Sequence, residues 1–255
     1  MIFESHAHYD DRAFDEDRDI LLNSLEENGI GGVMNVGASL ETTKNTIALI
    51  EKYSFVYGAA GVHPSHTGEL TEENFTQLEQ YCAHPKIAAV GEIGLDYYWK
   101  EPDKEIQKKW FARQLQLAGE RKLPVILHSR DAARDTLDMV KSVGVSEAGG
   151  VIHCFSYGKE IAREYLEMDF YFGIGGVITF QNGRKLKEVV EYIPMEKILL
   201  ETDSPYLAPV PYRGKRNSSL YLPLIAKEIA QIKGLDYDEV TETALRNTKR
   251  LFGIA

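Results

Sequence analysis

The sequence predicts an α/β fold, a TIM-type (β/α)8 barrel, and three observations support this. Short apolar runs of strand character recur at roughly even intervals and alternate with segments of helical periodicity. There are eight such runs, the number of strand–helix repeats that closes this barrel. The chain has 255 residues, close to the roughly 250 that one such barrel needs. We therefore expect a single domain spanning residues 1–255.

Several of the eight expected strands are apolar throughout, as is typical of parallel strands buried on both faces. They are Ile2–Phe3, Gly32–Val36, Val56–Gly61, Ile87–Gly91, Pro124–His128, Gly150–His153, Phe170–Ile174 and Ile198–Glu201. The main alternative is an open doubly wound sheet. That architecture would spread the strand ends along one edge, whereas a barrel gathers them.

Apolar residues at helical spacing predict helices between the strands, among them 17–28 and 105–121. Gly29 is a typical stop signal for the first of these. A further helix near the end of the chain has one apolar face, formed by Val240, Ala244, Thr248 and Leu251. Asp236 or Asp238 could cap that helix, which would be an addition to the eight repeats.

Composition narrows the class of protein. No apolar run approaches the roughly 20 residues of a membrane helix, and the N-terminus lacks the basic and apolar segments of a signal peptide. Cys82 and Cys154 are the only cysteines, so we expect a cytoplasmic protein with two structural thiols. The net charge of −10 argues against a broad basic face for nucleic acid. It does not exclude a nuclease, because divalent cations could hold phosphate locally.

Six ionisable residues each follow one of the apolar runs, and they are His6, His8, Glu92, His128, His153 and Asp203. In (β/α)8 barrels the catalytic residues come from the C-terminal ends of the strands. The six side chains should therefore converge there. Neutral imidazole is the commonest metal ligand among side chains. The sequence thus predicts a metal site at the C-terminal ends of the strands.

The local patterns suggest roles within this site. His6 and His8 are two apart on a strand and point to the same side, so both can reach one ion. Glu92 has two oxygens and lies between Gly91 and Gly94, which would leave room for a metal or ligand. Asp203 could meet the two N-terminal histidines, ligate a metal and take a proton from water.

The neighbours of these residues leave alternatives open. Asp96 could cap a helix, form an ion pair or support a ligand. Glu201 could act on the site indirectly, by hydrogen bonding to a residue that binds the metal. Cys154 could in principle bind zinc, but its side chain should point away from that of His153.

The ordered motifs resemble those of the TatD family of metal-dependent hydrolases, within the amidohydrolase-like barrels. The shared motifs are His6-Ala7-His8, Gly61-Val62-His63-Pro64, Gly91 to Asp96, Pro124 to His128, His153-Cys154-Phe155, Glu201 to Pro205, Arg213 to Asn217 and Asn247-Thr248. The resemblance covers essentially the whole chain. Two departures are visible: Glu4 stands where the family usually has Asp, and Ser218-Ser219 stand where a proline is common.

The resemblance implies two divalent metal ions per chain. His6, His8, Glu92 and Asp203 would hold one ion, and Glu92, His128 and His153 would hold the other. Asp203 and Glu92 would be the catalytic carboxylates. We expect zinc or another transition metal in the purified protein, with magnesium or manganese able to support activity.

The resemblance also implies a deoxyribonuclease, an exonuclease that cleaves phosphodiester bonds at a DNA end or in a single strand. His63, Arg130, Arg213 and Arg216 would bind the substrate. A zinc amidohydrolase or lactonase acting on a small molecule is the first alternative, and a metal-retaining binding protein without turnover is the second. No membrane partner is expected, and the sequence leaves the oligomeric state open, with a monomer plausible.

Overall fold

The protein is described here by a computed structural model covering residues 1–254. Its strands are β1 (Ile2–Ala7), β2 (Ile30–Val36), β3 (Val56–Ala60), β4 (Ile87–Asp96), β5 (Val125–Arg130), β6 (Gly150–Ile152), β7 (Tyr171–Ile174) and β8 (Ile198–Leu200). They form one eight-stranded sheet in the order β1 to β8. This order, with helices between successive strands, confirms the predicted fold class.

The helices are α1 (Arg18–Ser24), α2 (Leu40–Lys52), α3 (Glu72–Tyr81), α4 (Lys104–Arg121), α5 (Ala133–Val143), α6 (Lys159–Glu167), α7 (Arg184–Tyr192), α8 (Leu222–Lys233) and α9 (Tyr237–Phe252). The predicted helix 17–28 is divided into α1 and a short 3-10 turn, Glu26–Asn28. The predicted C-terminal helix is α9, and its apolar face is buried as expected. Within residues 1–254, none of the helices combines the length and apolarity needed to cross a membrane.

Three strands end later than the apolar pattern indicated: β1 continues from Phe3 to Ala7, β4 from Gly91 to Asp96 and β5 from His128 to Arg130. Pairing of β4 with β5 continues through Gly94 opposite His128 to Asp96 opposite Arg130. Glu92, expected directly after its strand, and His128, expected as the last residue of its strand, therefore both lie inside their strands. Backbone pairing carries a strand past glycine and charged residues, which hydrophobic patterning does not register.

The chain divides into two compact units, described separately. The first comprises residues 1–35 and 153–250. In it β1 pairs in parallel with β2, and β7 with β8. Ala7 bridges to Ser204 just after β8, and this bridge brings the residues after β8 beside β1. Its fully buried large side chains include Tyr9, Phe14, Phe170 and Phe172.

The second unit comprises residues 36–152 and 251–254. Strands β3, β4, β5 and β6 pair in parallel in that order. Its helices have clear end signals: Ser39 and Thr42 form a capping box at the start of α2, satisfying backbone groups that the first turn leaves unpaired. Phe75 and Phe111 are buried in its core. Strands β4 and β5 carry its polar site residues.

Candidate metal centre

The first unit contains a cluster of three predicted ligands, which we call the first histidine group: His6, His8 and Asp203. His6 lies in β1, and His8 follows the strand. The Asp203 N–H donates to the His6 carbonyl at 3.0 Å, and the His8 N–H donates to the Ser204 carbonyl at 2.8 Å. These two backbone hydrogen bonds fix the residues after β8 against β1, and so fix the three side chains together.

The spacing of the three ligand atoms fits a metal ion. The Nε2 atoms of His6 and His8 are 3.2 Å apart, and Asp203 Oδ1 lies 3.8 Å and 3.4 Å from them. A point equidistant from the three atoms is about 2.0 Å from each, within the roughly 2.0–2.2 Å of zinc bonds to imidazole and carboxylate. Burial opposes ionisation of Asp203, but hydrogen bonding to His8 and the nearby imidazoles of His153 and His6 lower its pKa.

His153 and Glu201 extend this group. The ring of His153 stacks on that of His6 with centroids 3.9 Å apart. His153 Nδ1 lies 3.5 Å from Glu201 Oε1, an oxygen that also accepts a hydrogen bond from the Cys154 N–H at 2.6 Å. One ligand atom from each of His6, His153 and Glu201 lies within 4.8 Å of the others. Glu201 is thus a candidate ligand in its own right.

Glu4 lies beneath the first group and is fully buried. Its Oε1 accepts the N–H groups of Thr202 at 2.8 Å and His6 at 3.2 Å. Its Oε2 accepts the hydroxyls of Thr202 at 2.7 Å and Ser219 at 2.9 Å. Burial raises the pKa of Glu4 to about 8, although these hydrogen bonds act against the rise. Through these hydrogen bonds the carboxyl group orients Thr202 and Ser219, which both follow β8, relative to β1.

The second unit contains a second histidine group: His63, Glu92 and His128. His128 Nδ1 lies 2.7 Å from Glu92 Oε1, a hydrogen-bond distance. His63 Nε2 is 3.9 Å from the same oxygen, and the two imidazole rings are 4.2 Å apart. The imidazole of His128 and the carboxylate of Glu92 are donors that suit the same metals as those of the first group.

The proton on His63 can be placed from its contacts. Burial, and then the neighbouring His128, lower the pKa of His63 to about 3, so the ring is neutral at pH 7. The Ser65 N–H donates to His63 Nδ1 at 3.1 Å. A ring nitrogen that accepts a hydrogen bond carries no proton, so Nε2 carries it. A protonated nitrogen cannot ligate a metal, and in this tautomer His63 is a hydrogen-bond donor.

Asp96 orients the second group. Its Oδ2 lies 3.2 Å from His128 Nε2, and its Oδ1 accepts the N–H of Tyr98 at 2.9 Å. A carboxylate behind a histidine is the usual way to fix the orientation of a ligand ring. Burial raises the pKa of Asp96, but the hydrogen bond and charge of His128 outweigh it and lower the pKa overall. Of the alternatives left open for Asp96, the structure favours support of His128.

The glycines on either side of Glu92 allow β4 to lie close against β5. A Cβ on Gly91 would lie 2.6 Å from the Cβ of Ile126. A Cβ on Gly94, whose φ is +147°, would overlap the carbonyl oxygen of His128. The space expected beside Glu92 for a metal or ligand is thus taken at these positions by β5.

The predicted substrate-binding arginines differ in their surroundings. Arg130 ends β5 and is exposed, with its guanidinium carbon 3.7 Å from the centroid of the Tyr98 ring. Arg213 is exposed and lies 4.5 Å over Phe180. Arg216 forms two hydrogen bonds with the Asp17 carboxylate, at 2.7 and 2.6 Å, and donates to a backbone carbonyl. Arg216 is thus bound within the fold itself.

Sequence reasoning did not find every residue at these sites. Thr202 was not singled out, although it lies between Glu201 and Asp203 in a motif that was recognised, and Ser219 was noted only as a departure from the family pattern. The aromatic run Tyr97-Tyr98-Trp99 directly after Asp96 was also overlooked. Three consecutive aromatic residues in a loop are a usable signal, because a loop cannot bury all of them as a strand or helix face can.

The fold and these two clusters define a class of protein: an α/β barrel with candidate metal-binding groups of histidine and carboxylate at its strands. A family described as TatD related DNase matches residues 3–253. The chain therefore belongs to the TatD family of metal-dependent hydrolases.

Its relatives span the whole chain. It is 40% identical over 254 residues to the uncharacterized metal-dependent hydrolase YabD of Bacillus subtilis strain 168, covering 100% of both chains. It is 34% identical over 245 residues to the 3′-5′ ssDNA/RNA exonuclease TatD of Cronobacter sakazakii, covering 94% of this chain and 93% of that one. The crystal structure of the TatD homologue YJJV from Escherichia coli K12 superposes with a TM-score of 0.95 at 29% identity, covering 100% of this chain and 98% of that one.

Proposed function

We propose that this protein is an exonuclease that hydrolyses phosphodiester bonds of DNA, acting at a strand end or on a single strand. The observation that carries the proposal is the first histidine group, whose three ligand atoms are spaced for a single ion. Similarity to the Cronobacter sakazakii exonuclease supports the choice of substrate.

We further propose two divalent ions per chain, one at each histidine group. His6, His8 and Asp203 would hold the first ion, with His153 and Glu201 beside them. Glu92 and His128 would hold the second, with Asp96 fixing the His128 ring. Imidazole-rich sites favour zinc and other transition metals, so we expect these as purified and magnesium or manganese as possible activators. That Glu92 is shared by the two ions, and that His153 joins Glu92 and His128 at the second ion, stay predictions.

The chemistry divides between the ions and the side chains. Bound divalent ions would supply Lewis-acid polarisation of the phosphoryl group and a water of lowered pKa. Asp203 accepts the proton of the attacking water. Its lowered pKa keeps the carboxylate ionised at neutral pH, which a proton acceptor requires.

Donors to the phosphate come from other residues. Neutral His63 offers its Nε2 proton to a phosphate oxygen without adding charge. The exposed Arg213 and Arg130 add charge-assisted hydrogen bonds, roughly twice as strong as neutral ones. Because Arg216 is held by Asp17, we assign the phosphate contact in that loop to Arg213.

The test is digestion of single- and double-stranded oligonucleotides labelled at the 3′ or 5′ end, titrated with zinc, manganese and magnesium. We expect Asp203→Ala to lower kcat by about 100-fold or more, the scale of general acid–base catalysis. Asp169→Ala is the matched control, since Asp169 and Asp203 both have left-handed backbones, with φ of 63° and 57°. The control corrects for the strain that alanine incurs at a positive φ.

Two results would contradict the proposal. One is an Asp203→Ala protein that is folded and cleaves at the wild-type rate. The other is a wild-type protein that cleaves no oligonucleotide with any of the three metals but turns over lactones or amides. The second result would favour the small-molecule amidohydrolase instead.

A further inference from the structure

Two aromatic rings stand exposed in the loop that follows β4. Tyr98 is 54% exposed and Trp99 is 55% exposed. Their rings meet edge to face, with centroids 4.8 Å apart and planes at 90°. We call these two residues the aromatic pair. Large aromatic side chains stabilise a fold most when they are buried. The exposure of both rings is therefore not explained by packing of the core.

The loop is anchored so that these rings remain outside. The Tyr97 N–H donates to the Arg130 carbonyl at 2.9 Å, and the Tyr97 hydroxyl donates to Asp135 at 2.7 Å. The Tyr98 N–H is held by Asp96 at 2.9 Å. Tyr97 thus ties the loop to the body of the second unit, and the two rings after it project from an anchored backbone.

A positive charge accompanies the pair. The Arg130 guanidinium carbon lies 3.7 Å from the centroid of the Tyr98 ring, a cation–π contact. Arg130 is exposed at the end of β5. Arginine stacked beside exposed aromatic rings suits a ligand that has both flat apolar faces and negative charge. Nucleobases linked by phosphates meet this description.

The pair is connected to the second histidine group. Arg130 follows His128 by two residues in β5, so both side chains leave the strand on the same side. Asp96 touches His128 through Oδ2 and the Tyr98 backbone through Oδ1. A ligand stacked on the pair beside Arg130 would therefore lie about two residues beyond His128 along β5, within reach of a polymer whose backbone approaches the second histidine group.

We propose that Tyr98 and Trp99 form a stacking platform for unpaired nucleobases of the substrate, with Arg130 binding an adjoining phosphate. This inference rests on the proposed nuclease function and narrows its substrate to strands with accessible bases. Bases inside a duplex have both faces covered by their neighbours and cannot use the platform. The platform therefore favours single strands and frayed ends.

The experiment compares a normal oligonucleotide with one of the same length built from abasic units. Removing a stacking aromatic weakens binding by roughly 5- to 150-fold per base. We expect Trp99→Ala to raise KM for the normal oligonucleotide by about this factor and to leave KM for the abasic chain unchanged. Trp99→Phe keeps a flat ring and should stay close to wild type. Tyr192→Ala, which removes an aromatic residue of α7 that is 44% exposed, is the matched control and should change neither KM.

Tryptophan fluorescence gives a readout independent of turnover. The chain has two tryptophans, and Trp110 is buried at 3% exposure, so acrylamide should quench mainly Trp99. A slowly hydrolysed phosphorothioate oligonucleotide should protect wild-type fluorescence from acrylamide. An abasic phosphorothioate chain of the same length, which offers no base to stack, should leave the quenching unchanged; equal protection by both chains would contradict stacking on Trp99.

The outcomes separate this inference from the proposed function. Cleavage of the normal oligonucleotide by wild type, with KM unchanged in Trp99→Ala, overturns the platform alone. An equal rise in KM for normal and abasic chains also overturns it, because no base would then be involved. If wild type cleaves neither chain, the proposed nuclease function itself fails.

Discussion

Oε2 of the Glu4 carboxyl group accepts a hydrogen bond from the Thr202 hydroxyl at 2.7 Å, although the two residues are 198 positions apart in the sequence. Both residues are almost completely buried. Thr202 immediately precedes Asp203, and Glu4 lies two residues before His6. The contact therefore joins the two chain segments that supply the first histidine group.

We predict that Glu4→Ala destabilises the protein strongly. The substitution leaves the buried hydroxyls of Thr202 and Ser219, and two backbone N–H groups, without their acceptor, at a cost of roughly 3–5 kcal/mol of unfolding free energy. Glu4→Gln preserves the shape and one acceptor oxygen, so its loss should be clearly smaller. Urea unfolding of the metal-free proteins measures both values. Equal stability of wild type and Glu4→Ala would mean that the network around Glu4 does not hold these segments together.

In the basic loop 213–216, which follows β8, we predict that one arginine binds substrate and another has only a structural role. Arg213→Ala should raise KM for oligonucleotides, because Arg213 is exposed. Arg216→Ala should leave KM unchanged and lower unfolding free energy by only about 0–1 kcal/mol, because its partner Asp17 is partly exposed and screened by solvent. Arg246→Ala, at an exposed pair with Glu242, serves as a control for loss of a surface arginine.

The stability difference between wild type and Arg216→Ala should depend on pH. Hydrogen bonding to Arg216 lowers the pKa of Asp17. A lowered carboxyl pKa contributes stability above the unfolded pKa of about 3.9, and that stability is lost as pH falls through the folded pKa. The difference should be complete at pH 7, begin to shrink near pH 4 and vanish only when the pH falls below the lowered pKa of Asp17 in the folded protein. A KM increase in Arg216→Ala as large as that in Arg213→Ala would return Arg216 to the substrate site.

We predict that a substitution in one histidine group removes the ion of that group and leaves the ion of the other group in place. We expect His8→Ala and His128→Ala each to lose about one ion per chain relative to wild type, because each removes a ligand from a different group. His84→Ala is the control, since His84 lies 3.9 Å from Glu51 and belongs to neither group. Elemental analysis after gel filtration gives the stoichiometry without reference to activity. Unchanged metal content in both variants would rule out this ligand assignment.

The sequence pattern predicted the positions of the strands along the chain better than it predicted where they end or which residues they contact. All eight strands were placed by apolar runs, because buried parallel strands are apolar on both faces. The extension of β4 to Asp96 could not be read this way, since it depends on pairing with β5. The contact of Arg216 could not be predicted either. Its partner Asp17 is 199 residues away, and a local sequence motif cannot show such a contact. Exposure of Trp99 was equally hidden, because an aromatic residue predicts a core position as readily as a surface one.

Gly94 should be required for both stability and the second histidine group. An alanine Cβ there would overlap the His128 carbonyl oxygen and lie 2.9 Å from the carbonyl carbon, at a φ of +147° that side chains rarely adopt. We expect Gly94→Ala to cost roughly 2–4 kcal/mol of unfolding free energy and to displace His128 away from Glu92. The variant should therefore also lose the ion of the second group while keeping that of the first.

Gly119→Ala provides the matched control for this substitution. Gly119 lies in α4, and a Cβ there meets nothing within 4 Å. Alanine is favoured over glycine inside a helix by about 1 kcal/mol, so this variant should be slightly more stable than wild type and retain both ions. The same chemical change thus has opposite expected signs at two positions, measured by denaturant unfolding and elemental analysis. A Gly94→Ala protein as stable as Gly119→Ala, with its full metal content, would mean that β5 can move away from β4 at no cost, and the close approach of these strands could not be what positions His128.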